Sequence, residues 1–261
     1  MNRRVRQSIF AIGVVIGIFA ILVALRPNGE PSYNNKPLSA WLDDRVPRPD
    51  GTIELSDESM FAVQQIGHQA IPVLLQWLQY SDPPGFRLLR GANVPVPLND
   101  NWRLRAVYGF RALGDAAAPA IPDLVQLALY EQDEDVRTAA INALTNNHPE
   151  ALRLLSASLR STDPAGRLQA ADVFAYNRPP AAIPLLTEAL TDSDPGVRAK
   201  AARALGLYSS PLVPDATLDA LNAMSSDSDM TVRVAAQSAI NSQTAYRQSG
   251  MFPLPPSTRA K

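Results

Sequence analysis

The sequence predicts an all-α fold, a right-handed α-solenoid of five to six helical hairpins, preceded by an N-terminal transmembrane helix. Three observations lead there: one short grammar of residues recurs along the chain, apolar segments of helical period lie between its copies, and residues 9–25 carry no charge. The grammar is clearest at 191–205, TDSDPGVRAKAARAL, where an Asp and a Pro precede an Arg four residues after the Asp, and apolar residues follow three, six and seven after the Arg. Asp194 is placed to accept bonds from the unpaired N–H groups of a first helical turn, and Pro195 lacks only an N–H that would be unpaired anyway. Asp163-Pro164 repeats the device. Ala201, Ala204 and Leu205 share one helical face, two of them small enough to let a second helix approach closely.

With Arg198 as reference, the equivalents are Ser59, Ala106, Arg137, Arg167 and Arg233, at separations of 47, 31, 30, 31 and 35 residues. Between these helices lie AIPVLLQWL from Ala70, AIPDLVQLAL from Ala120, EALRLLSASL from Glu150, AIPLLTEAL from Ala182 and LVPDATLDALNAM from Leu212. Self-similarity at about 30 residues per unit means stacked hairpins that share a continuous core with their neighbours. The 46% apolar content supports such a core, and the 23 prolines fall mostly in turns and first helical turns, where a missing N–H is harmless. The absence of cysteine excludes disulfides, thiolate metal sites and thiol catalysis.

From the N-terminus, Arg3, Arg4 and Arg6 precede the uncharged stretch, and Arg26 follows it. Seventeen residues reach roughly 26 Å at about 1.5 Å each, enough for a bilayer core once Gln7 and Ser8 are drawn in. The stretch exceeds a signal-peptide apolar region and no A-x-A site follows, so an uncleaved signal anchor is expected over residues 1–26, spanning 8–25, the alternative being a cleaved signal peptide and a secreted chain. The arginine asymmetry makes the chain a single-pass membrane protein with its N-terminus cytoplasmic and its repeats on the extracytoplasmic, in a bacterium periplasmic, side. Gly13 and Gly17 offer either weak self-association of spans or plain filler. Residues 27–37 read as a tether and 38–242 as the solenoid, opened by a partial helix of Leu38, Trp41 and Leu42. Residues 46–52 and 81–101, rich in Pro, Gly, Asn and Asp, read as loops. The second is an irregular insertion, either a contact element or a tolerated one. Residues 243–261, with PLPP at 253–256, read as a disordered tail.

The segments Asp133-x-Asp135-Val136-Arg137, Asp194-Pro-Gly-Val197-Arg198 and Asp229-x-x-Val232-Arg233, each followed by x-x-Ala, resemble HEAT repeats. The short period is similar to the variety in phycobilisome lyases. The opening YNNKPLSAWLDD from Tyr33, followed by AVQQIGHQAIPVLLQWL, resembles membrane-anchored bacterial HEAT proteins of unassigned role. The resemblance implies a fold and a binding style, not a reaction.

An Arg in a first helical turn opposes the helix macrodipole and needs a compensating partner. The expected one is Asp133, Asp163, Asp194 and Asp229 for Arg137, Arg167, Arg198 and Arg233, within a unit or with the preceding one. If the second helix of each hairpin lines the concave side, as the resemblance implies, the candidate partner-binding face is Tyr108, Arg111, Asn142, Gln169, Asp172, Tyr176, Lys200 and Arg203. This mixed set suits a protein or peptide partner. Nucleic acid asks for a basic stripe, whereas removing Arg3, Arg4, Arg6 and Arg26 leaves 20 basic against 25 acidic residues. No phosphate loop, nucleophile elbow or HExxH is present, and His68 and His148 sit in turns, GHQA and NHPE. HEAT-built enzymes include chromophore lyases and di-iron hydroxylases with paired His-Glu motifs; this chain has no His-Glu dipeptide. The expectation is a scaffold without cofactor or catalysis of its own, the alternative an accessory or lyase-like subunit whose chemistry lies in a partner.

Overall fold

Aspartate starts four of the helices. In the computed structural model, which describes residues 29–49, 51–80, 102–144, 148–208 and 212–248, Asp133 accepts from Val136 N–H at 3.2 Å, Asp163 from Gly166 N–H at 2.9 Å, Asp194 from Val197 N–H at 3.1 Å and Asp229 from Thr231 N–H at 2.7 Å. They open α6 (Glu134–Ala143), α8 (Pro164–Asn177), α10 (Pro195–Gly206) and α12 (Met230–Gln248). Ser56 does the same for α2 (Asp57–Ile66), and α4 (Trp102–Leu113) completes this row. The other row begins on Ile-Pro steps in α3 (Ile71–Leu78), α5 (Ile121–Tyr130) and α9 (Ile183–Ala189), and adds α7 (Pro149–Leu159) and α11 (Asp215–Ala223). Gly67 and Gly114, at φ of 59° and 53°, end α2 and α4 in the left-handed region that glycine adopts without strain.

Within the first row α2, α4, α6, α8, α10 and α12 pack successively, and each helix of the second row closes a hairpin against the first. The buried apolar side chains form one cluster that runs from Leu38 to Ala239. This is the expected helical repeat stack. Its alanines set the spacing: a Cβ on Gly206 would meet Ala239 Cα at 2.8 Å, so α10 and α12 touch backbone to backbone.

The N-terminal end departs from a purely helical reading. β1 (Ser32–Tyr33) and β2 (Lys36–Pro37) form an antiparallel pair just before α1 (Leu38–Leu42), and β3 (Arg45–Pro47) pairs antiparallel with β4 (Ile53–Leu55). The stretches expected as tether and loop thus carry two small hairpins. The reason is local: Asn34 and Asn35 take positive φ, as asparagine tolerates, and turn the chain. Tyr33 then stacks obliquely on Trp41 and edge-on to Phe61. Leu38, Trp41 and Leu42 are buried, closing that end of the core.

The expected membrane placement needs correction. Among the described residues no helix is long and apolar enough to cross a membrane. The longest, α12 at 19 residues, carries Arg233, Arg247 and several Gln and Asn side chains. That finding overturns the assignment as a single-pass membrane protein with extracytoplasmic repeats. The span expected at 8–25, with Gly13 and Gly17, and the insertion at 81–101 lie outside the described residues. At the other end α12 continues past Ser242 to Gln248, because Gln243 is buried and donates to the carbonyls of Leu205 and Tyr208 at 2.8 and 2.7 Å.

Candidate functional site

The arginine ladder fixes how the hairpins are registered, and it does so with different partners from those expected. The four capping aspartates are occupied by helix N–H groups. The forks of Arg167 and Arg198 instead reach forward to Asp192 and Asp227 in the next unit's loop, each through two bonds of 2.7 to 2.8 Å. Both pairs are largely buried. The third nitrogen reaches back to the chain just before its own helix: Arg137 to Glu131 O, Arg167 to Ser161 O, Arg198 to Asp192 O and Arg233 to Asp227 O, all at 2.7 to 3.0 Å. Each cation is therefore compensated by carbonyls or by a carboxylate, which answers the macrodipole penalty. Burial alone would raise the Asp192 carboxyl, but Arg167 and the Asp194 N–H hold it below the ordinary carboxylate range. Arg198 and the Asp229 N–H do the same for Asp227.

The first units lack the ladder Arg yet keep the same logic. Ser59, wholly buried at the reference position, donates to Asp44 at 3.0 Å, and Arg105, one residue before Ala106, forks onto Asp43. Arg105 also lies over the Trp102 ring at 4.4 Å, and Trp102 in turn leans on Trp77 at 4.9 Å. Arg103 ties α4 to the start of α6 through Asp133 and Asp135.

These bonds hold in a fixed row the surface formed by α4, α6, α8 and α10, which bears the candidate partner-binding residues. Tyr108, on α4, is committed to the fold: its hydroxyl donates to Ile53 O at 2.8 Å and the Arg45 guanidinium lies 5.5 Å from its ring. Lys200 on α10 donates to Asp172 on α8 at 2.7 Å, so these two positions neutralise one another across neighbouring helices. Arg111, Tyr176 and Arg203 are exposed, and Asn142 and Gln169 half-buried. Tyr176, at 50% exposure, has Leu207 at the equivalent position of the next helix at 49%, which gives the surface an apolar strip. The structure thus brings the eight residues onto successive helices of one row but assigns Tyr108, Asp172 and Lys200 internal work. Neither histidine joins them: His68 lies in the turn after α2, and His148 caps α7, its Nδ1 accepting from Glu150 N–H at 3.2 Å. Among the described residues no three His, Cys, Asp or Glu side chains gather closely enough to hold a metal ion.

The family described as HEAT repeats matches residues 151–241, from α7 into α12, so this part of the stack is HEAT-like in sequence as well as in architecture. No curated protein matches the chain. Among solved structures, human deoxyhypusine hydroxylase in complex with glycerol is 21% identical with a TM-score of 0.38, covering 72% of this chain and 78% of its own. One engineered protein is 23% identical at a TM-score of 0.36, covering 72% and 84%, and another 18% identical at 0.35, covering 82% and 100%. Superpositions this loose say nothing of activity.

Proposed function

We propose that this protein is a protein-interaction scaffold that presents the outward face of α4, α6, α8 and α10 to a protein or peptide partner and supplies no chemistry of its own. The observation that carries the reading is the exposed pair of Tyr176 and Leu207, with the exposed Arg203 one turn before Leu207, on helices whose register the Arg167 and Arg198 forks hold. An aromatic side chain and an arginine on a preorganised surface are the residue types that anchor protein interfaces, and a rigid surface loses little entropy on binding. HEAT repeats, matched over 151–241, commonly mediate such contacts. A photo-crosslinking residue at position 176, compared with one at the exposed Gln126 of the opposite row, tests it. A partner captured at 176, absent at 126 and lost in the Leu207→Ser, Arg203→Glu double variant supports the reading. Equal capture at both positions refutes it, and turnover by the purified chain refutes the absence of chemistry.

A further inference from the structure

Four loops lead into the Asp-capped helices of the first row, and two residues before each cap stand Glu131, Ser161, Asp192 and Asp227. Hydrogen bonds fix their equivalence: each offers its backbone carbonyl to the ladder Arg of the helix it precedes, at 2.7 to 3.0 Å. At three of these places the side chain is a carboxylate that accepts from the N–H of the capping aspartate, Glu131 from Asp133 at 3.0 Å, and Asp192 from Asp194 and Asp227 from Asp229 at 2.8 Å. Asp192 and Asp227 also receive the fork of the preceding unit's Arg. Ser161 does neither. Its hydroxyl donates to Asp163 O at 3.2 Å, and Arg137, whose forward fork belongs at this place, has no ion pair among the described residues and ties only back, to Glu131 O. One rung of the ladder therefore lacks its negative charge, although the two groups that bind that charge elsewhere, an Arg fork and a cap N–H, are both in place.

We infer that Ser161 is a phosphorylation site for a protein serine kinase, and that its phosphate takes the place held by the Asp192 and Asp227 carboxylates in the next two units, closing the Arg137 rung between α6 and α8. A phosphoserine carries about −1.5 to −2 charge at neutral pH, and an Arg fork binds phosphate through two bonds as it binds a carboxylate. Its reach beyond that of aspartate has a precedent in the longer Glu131 at the same place. The segment is open to an enzyme: Ser161 lies in the bend between α7 and α8, half-buried, with Arg160 and residues 162–165 exposed around it. Transfer joins Ser161 Oγ to the γ-phosphorus of a nucleoside triphosphate, breaks that phosphorus from the nucleoside diphosphate leaving group, and passes the hydroxyl proton to a base of the kinase. The inference rests on the ladder and does not need the surface reading above.

The test has two arms. In the first, the protein is isolated from its source cells with phosphatase inhibitors and its peptides are mapped by mass spectrometry. Phosphate on Ser161 is expected; its absence, or phosphate on Thr162 alone, overturns the modification. In the second, the full chain with phosphoserine installed at 161 is compared with the unmodified chain. The thermal midpoint should rise by about 2 to 6 °C, and the phosphate should titrate, by ³¹P NMR, about one unit below the same phosphopeptide free in solution, because the guanidinium favours the dianion. Arg137→Gln should remove both shifts, and phosphoserine at 162 should give neither. Should Arg137→Gln not fold, Arg137→Lys stands in for it and should retain only part of the midpoint rise, since it keeps a charge but not the fork. An unchanged midpoint and titration, or shifts that survive the Arg137 variants in full, overturn the rung.

Discussion

Gly206→Ala puts one carbon into the tightest contact of the stack. The added Cβ would lie 2.8 Å from Ala239 Cα and 3.0 Å from its Cβ, whereas carbons rest at about 3.5 to 4.0 Å. The nearer atom is backbone, so no rotamer change relieves the clash; α12 must withdraw by roughly 1 Å, and a gap of that size forfeits about a quarter to a half of each dispersion contact along the interface. Overpacking of this kind costs about 1 to 3 kcal/mol. Alanine's helix propensity offsets at most about 1 kcal/mol, and less at Gly206, the last residue of α10. The net loss should lower the melting midpoint by about 2 to 4 °C per kcal/mol. Urea and thermal unfolding followed by circular dichroism measure it, and Ala239→Gly in the same chain should recover part of the loss, with a coupling energy above about 0.5 kcal/mol. Gly109→Ala is the control: its Cβ would meet the methyl ends of Leu74 at 2.5 and 2.9 Å, a side chain that can rotate, and should cost less. A Gly206→Ala protein as stable as wild type, or strict additivity of the pair, would show that α10 and α12 are not in backbone contact.

The apolar seam should outweigh the caps: Leu205→Ala, at a wholly buried site, is expected to cost about 2 to 5 kcal/mol, against about 1 for Asp194→Ala, both read from urea midpoints. Tyr208→Phe removes a buried donor but leaves Pro179 O its bond from Ala182 N–H, so about 1 kcal/mol should be lost and the fold kept, checked by the same unfolding curves. The folded values of Asp192 and Asp227 lie below those of the unfolded chain, so the folded state binds their protons more weakly. Their contribution is present above the usual carboxylate value of about 4 and is lost as pH falls through the folded values. Midpoints measured from pH 6 downward should fall, and Asp192→Asn and Asp227→Asn should flatten that slope.

The period, the caps and the small-residue faces were legible in the sequence because each is a local device: Asp163-Pro164 and Asp194-Pro195 start helices whatever surrounds them. The ladder was legible only by half. Asp192-Ser-Asp194 and Asp227-Ser-Asp229 each carry two carboxylates, and a rule of spacing within one unit selects the second, which the first turn of the helix already occupies. The Arg fork is long and points toward the next loop, so its partner is the first aspartate, a choice that only the stacking of units makes. Where Ser161 replaces that aspartate, the pattern vanishes from the sequence altogether, although Arg137 still ties back to Glu131 O. The contact between Arg105 and Asp43, 62 residues apart, was out of reach for the same reason.

The last described helix, α12, differs from its predecessor on the face that would meet a further helix. In α10 the stripe that meets the next helix is Ala199, Ala202 and Gly206, all buried and none longer than a methyl group. Thirty-five residues on, the same three places are Val234, Gln237 and Asn241, all exposed. Gln237 donates to Asn241 at 3.0 Å, so the two amides are joined along the exposed face of α12. An added unit would have to strip water from both amides and could not approach to the Gly206 distance. A repeat array needs polar groups on its outer face where it stops, and Gln237 and Asn241 supply two in this stripe, beside the exposed apolar Val234.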